Sequence, residues 1–135
     1  MTRQLGRKAY TALALGMIAL GLASHFLGDN LPHAARDFAG DALWASMVFW
    51  WVSAIAPTAR LRNRVTVAIL ISAGVELAQL YHTPVLDTVR ATTIGHLVLG
   101  SDFDARDLVA YCVGVLAASL GEWIYVLQPE GTAAS

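Results

Sequence analysis

The sequence is short of charge, of cysteine and of polar linker, and each shortage excludes a class of protein. Only 14% of the 135 residues are Asp, Glu, Lys or Arg, against about a quarter in a soluble domain. With 56% of the chain hydrophobic, a water-soluble bundle would lack the polar outer face that solvent requires. The net charge of −1 leaves no strongly basic surface, so no nucleic-acid partner is expected. Cys112, the single cysteine, has no disulfide partner in the chain and reads as a small packing residue. Glycine-rich phosphate loops, a nucleophile elbow and Cys-x-x-Cys are absent, and His25, His33, His82 and His96 follow no metal-ligand spacing. No cofactor or metal is therefore expected, and no residue is assigned as catalytic.

What the chain has instead is apolar runs. Four of them, at 9–27, 38–56, 65–82 and 106–127, approach or reach the length needed to cross about 30 Å of hydrocarbon. Gly28-Asp29-Asn30 ends the first, Pro57 the second, Pro84 follows the third and Pro129 the fourth. A fifth run, 91–100, is about half the length needed to span. The reading is an all-α polytopic membrane protein: one domain over residues 1–135, a four-transmembrane-helix bundle with a short re-entrant or interfacial segment between helices 3 and 4. A cleaved signal peptide fits the first run less well, because that run exceeds the usual apolar region and Leu22-Ala23-Ser24 is a poor cleavage site.

Lysine and arginine give the orientation. Arg3, Arg7 and Lys8 precede the first run, and Arg60, Arg62 and Arg64 lie between the second and third. These positions are two crossings apart and agree, placing both termini in the cytoplasm. The outer connections then carry Asp29, Asp37, Asp87, Asp102 and Asp104 against Arg36, Arg90 and Arg106, together with all four histidines.

Ionisable groups within the runs mark the candidate site. Ser72, Glu76, Gln79 and Thr83 fall on one helical face, a polar stripe that must meet protein or water. Asp41 and Trp44 enter the second run from the same side, and Asp107 and Tyr111 stand one turn apart at the start of the fourth. Arg90 is the nearest cation for Glu76, Asp41 or Asp107, with a fork suited to carboxylates. The expected ligand-binding cluster is thus Asp41, Trp44, Glu76, Gln79, Arg90, Asp107 and Tyr111. It serves either as an internal hydrogen-bond network or as a site open to the outside. Asp104 and Asp107 also have the spacing of a helix-capping pair. Ala12, Gly16, Ala19 and Ala23, and separately Gly114, Ala118 and Gly121, form smooth strips read as packing faces. The tryptophans read as interface anchors and core filling.

An ordered set of motifs resembles a bacterial membrane family catalogued as domain of unknown function 2809. It comprises Gly40-Asp41-Ala42-Leu43-Trp44-Ala45, Glu76-Leu77-Ala78-Gln79-Leu80-Tyr81, Leu86-Asp87 with Arg90, Thr92 and Gly95, Leu97-Val98-Leu99-Gly100, and Asp107-Leu108 with Tyr111 and Gly114. His25 stands where that family has arginine, and Val85 where it has tryptophan. The resemblance implies a four-helix membrane protein and no activity. More loosely, Glu76-x-x-Gln79, Arg90 and Asp107-x-x-x-Tyr111-x-x-Gly114 resemble the VanZ-like proteins, with Tyr111 in place of an asparagine. That likeness implies a cell-envelope role.

The expected function is an envelope accessory protein whose outward polar pocket binds a lipid head group or a lipid-linked sugar. Two alternatives stay open. One is a membrane enzyme acting on such a lipid, with Glu76 or Asp107 as base and Arg90 stabilising negative charge. The other is a subunit of an oligomeric transporter or channel. Membrane lipid and a lipid-linked small molecule are the expected partners, with a homo-oligomer or a partner membrane subunit also open.

Overall fold

The computed structural model describes residues 4–100 and 102–128, and every regular element among them is helical. Arg3, counted above among the N-terminal cations, and Pro129, the stop after the fourth run, lie outside the described residues. The helices are α1 (Arg7–Leu27), α2 (His33–Ile55), α3 (Leu61–Ala78), α4 (Pro84–Arg90), α5 (Thr93–Leu99) and α6 (Ala105–Leu127).

Three of them, α1, α2 and α6, are long and apolar enough to cross a membrane. α3 has 18 residues and holds Arg62, Arg64 and Glu76 among them, which lowers its apolar character. The run at 91–100 becomes α5, and with α4 it forms a pair of seven-residue helices between α3 and α6. α2 starts at His33, before its apolar run, because Pro32 occupies the N-cap position, where its fixed φ leads into the first helical turn.

Local chemistry sets the remaining boundaries. Thr83 caps α4 by accepting from the Leu86 amide at 3.2 Å, with Pro84 in the first turn, and Thr92 caps α5 through the Gly95 amide at 3.0 Å. Asp104 caps α6 by accepting from the Arg106 amide at 2.9 Å, and Asp107 sits in that first turn, as their spacing predicts. Gly100 ends α5 with φ +66° and ψ −169°, a conformation open to glycine; a Cβ there would also strike the Gln79 carboxamide.

α2 is the centre of the bundle, packing against α1, α3 and α6. Its Ala45, Val48, Phe49, Trp50 and Ala54 meet Tyr10 and Ala14 of α1, Ala68 of α3, and Tyr111 and Val115 of α6 in one core. α6 approaches α2 closely because Gly114 lies against the Ala42 backbone, where any Cβ would collide. The other expected packing strip behaves differently: on α1, Ala12, Ala19 and Ala23 are exposed, and Tyr10 and Ala14 turn inward instead. Large aliphatic side chains, among them Leu20, Leu70, Leu77, Leu116 and Leu120, stand exposed around the long helices. A surface of that kind suits hydrocarbon better than water.

Candidate functional site

Polar side chains gather at the two ends of the bundle and the aromatic and aliphatic core separates them. At one end Glu76, in the last turn of α3, is fully buried. Its Oε2 accepts from the Tyr111 hydroxyl at 2.9 Å and its Oε1 from the Asp104 backbone amide at 2.7 Å. A single carboxylate thus ties the end of α3 to the start of α6, which also makes the two helices antiparallel. The Trp44 ring packs on Tyr111 with centroids 5.5 Å apart and holds the phenol in place.

Asp41 and Asp107 lie near enough to each other and to Glu76 for their charges to interact. Carboxylates from α2, α3 and α6 therefore meet, together with Tyr111 and Trp44. Gln79 is buried against Gly100, and its Oε1 has no partner among the described residues. Ser72, Glu76 and Gln79 are all buried and Thr83 is half-buried, so the predicted stripe faces protein.

Arg90 is also buried, but it is turned elsewhere. Its Nη1 donates to the Tyr81 carbonyl at 2.9 Å and its Nη2 to the Ala78 carbonyl at 3.0 Å, at and just beyond the end of α3. Asp87 lies 3.6 Å away and itself meets the His82 ring at 3.0 Å. None of the hydrogen bonds or ion pairs of Arg90 among the described residues runs to Glu76, Asp41 or Asp107. The reason lies in the fold: Arg90 ends α4, and its side chain reaches back to the backbone that closes α3. Arg90 lines a hollow of about 340 Å³ with His25, Thr92, Thr93, His96 and Leu97. Among the described residues no group of three or more His, Cys, Asp or Glu is placed to hold a metal ion.

At the opposite end lies a polar centre that the sequence reading did not assemble. Arg64 of α3 and Glu122 of α6, each 5% exposed, form a two-pronged ion pair, with Nη2 to Oε1 at 2.8 Å and Nη1 to Oε2 at 3.0 Å. Nη1 also donates to Ser53 of α2 at 2.8 Å, Nε to the Ala59 carbonyl at 3.1 Å, and the Tyr10 hydroxyl of α1 donates to Glu122 Oε1 at 2.6 Å. The guanidinium lies 5.3 Å from the Tyr10 ring centre and 5.8 Å from that of Phe49. All four long helices are joined there. Beside the pair a hollow of about 330 Å³ opens, bordered by Arg60 and Trp123. Arg64 reads in sequence as one of three loop cations. The available signal was the spacing of Arg64 and Glu122 from their helix ends, which puts both at one level of an antiparallel bundle.

A chain that is helical in every regular element among the described residues, with three helices long and apolar enough to cross a membrane, is of the membrane-protein class. A family model described as protein of unknown function (DUF2809) matches residues 30–115, more than half of the chain, and the protein belongs to that family. The matched segment contains Asp41, Trp44, Glu76, Gln79, Arg90, Asp107 and Tyr111, and excludes Tyr10, His25 and Glu122. No solved structure matches the chain.

Proposed function

We propose that the protein is a four-span component of the bacterial inner membrane, with both termini cytoplasmic, whose outer end binds the polar head group of an envelope lipid. α3 serves as the fourth span. At about 1.5 Å per residue its 18 residues reach roughly 27 Å, and its buried charges are answered internally, Arg64 by Glu122 and Glu76 by Tyr111 and Asp104. Neither ion has to meet acyl chains. α4 and α5 lie in the interfacial layer, in keeping with their exposed Val85, Val89, Ile94 and Val98.

In this reading the Glu76 cluster is the frame and the hollow beside Arg90 is the receptor. Glu76, Tyr111 and Asp104 set α6 against α3, and the Ala78 and Tyr81 carbonyls fix the guanidinium. The observation that carries the proposal is this buried arginine bordering an open hollow of about 340 Å³. The looser likeness to VanZ-like proteins supports an envelope setting.

The test is lipid retention. The full chain purified in a mild detergent should carry a reproducible amount of one envelope lipid class, identified by extraction and mass spectrometry. Thr93→Trp puts an indole into the hollow from an exposed position and should abolish that retention. The same lipid at the same amount in a folded Thr93→Trp protein overturns the proposal.

A further inference from the structure

Resting on that head-group reading, we infer that the hollow is a phosphate site, in which His25 and His96 join Arg90 to hold the phosphate of a phosphorylated head group. Its lining contains no acidic side chain, although this end of the chain is rich in aspartate. Asp29, Asp87, Asp102 and Asp104 are exposed in the neighbouring connections and remain outside the lining. A recess whose lining holds an arginine and no carboxylate favours anions over cations.

The hydrogen-bonding inventory narrows the anion further. Arg90 is only 7% exposed, and while its two terminal nitrogens hold the Tyr81 and Ala78 carbonyls, its Nε has no partner among the described residues. The carbonyls hold the guanidinium in place, and what it offers the recess is its fixed positive charge. His25 enters from the end of α1 and His96 from α5, so cationic or donor groups reach the recess from three elements. The Thr92 hydroxyl is already committed, donating to the Val89 carbonyl at 2.7 Å and accepting from the Gly95 amide at 3.0 Å. Thr93, whose hydroxyl makes no hydrogen bond among the described residues, is the remaining donor.

This inventory also separates a phosphate from an uncharged sugar. Sugar hydroxyls are held best by carboxylate and amide side chains, and the lining has none of either. A phosphate oxygen accepts only, which matches guanidinium, imidazole and hydroxyl donors. Asp87, 3.6 Å from Arg90 and half-exposed, steadies the guanidinium from outside the lining.

The experiment titrates the purified full chain in dodecyl maltoside with four probes: dioctanoyl phosphatidic acid, dioctanoyl phosphatidylglycerol, dioctanoyl glucosylglycerol, which has no phosphate, and inorganic phosphate. Saturable binding of the two phospholipids over the glycolipid is expected. The double variant His25→Gln with His96→Gln, two exposed side chains, should weaken phospholipid binding roughly tenfold or more. Arg90→Lys, which keeps the charge but loses the fork, is expected to weaken it too. Glycolipid binding as tight as the phospholipids, with the histidine variant unaffected, overturns the phosphate assignment and leaves the head-group reading standing. Inorganic phosphate binding as tightly as the phospholipids keeps the phosphate site and overturns the head-group reading. Binding of none of the four overturns both.

Discussion

Replacing Glu122 by alanine removes one half of an ion pair whose other half has nowhere to go. Arg64 is 5% exposed and is pinned by Ser53 and the Ala59 carbonyl as well as by Glu122. Leaving one ion of such a pair buried and unanswered costs about 3–5 kcal/mol. At the few degrees per kcal/mol usual for chains of this size, that is a fall in Tm on the order of 10–20 °C. Two companion variants separate charge from packing. Tyr10→Phe deletes only the 2.6 Å bond to Glu122 and keeps the ring over Arg64, so it should cost less, about 1.5–3 kcal/mol. Replacing the pair together, Arg64→Met with Glu122→Leu, removes both charges and should recover most of the stability lost in Glu122→Ala. The assay is thermal unfolding of the full chain in one detergent, followed by tryptophan fluorescence and checked by circular dichroism. A Glu122→Ala protein melting within about 2 °C of wild type, or a double variant no better than Glu122→Ala, refutes the reasoning that this pair clamps the four long helices.

Two further predictions concern the other end of the bundle and its middle. Tyr111→Phe leaves Glu76 with the Asp104 amide as its remaining partner; a loss of about 1.5–3 kcal/mol is expected in the same melting assay, since the lost bond is to a charged group. Gly114→Leu forces a side chain into the Ala42 backbone, and overpacking of that kind costs about 1–3 kcal/mol or more. Gly121→Leu on the same helix meets open space and should melt near wild type; equal losses at the two glycines would argue against the close α2–α6 approach.

Much of the architecture is legible along the chain because it depends on local composition. The runs that became α1, α2 and α6 are apolar over a membrane's width, and Asp104 caps α6 where its spacing predicted. The Ser72-Glu76-Gln79 face is also legible, since helical periodicity alone places those residues together and their polarity turns them inward. Arg90 was less so. Its charge and its neighbourhood can be read from sequence, but its partners depend on where the fold sets its side chain, and the carbonyls of Ala78 and Tyr81, with Asp87 nearby, received it in place of Glu76, Asp41 or Asp107. The α1 strip of small residues misled for a related reason: small size permits close packing, and the rotation of α1 is set by Tyr10 reaching Glu122.

Composition and periodicity by themselves determined that this chain is helical, apolar on its outside and polar at defined levels, because those properties follow from each residue's own affinity for water and its place on a 3.6-residue turn. Only the tertiary structure decided which ions answer one another. Arg64 and Glu122 are separated by 58 positions, and their meeting depends on four helix rotations and crossing geometries that are fixed jointly by core packing. The placing of the Arg90 hollow among α1, α4 and α5 follows from that same joint packing.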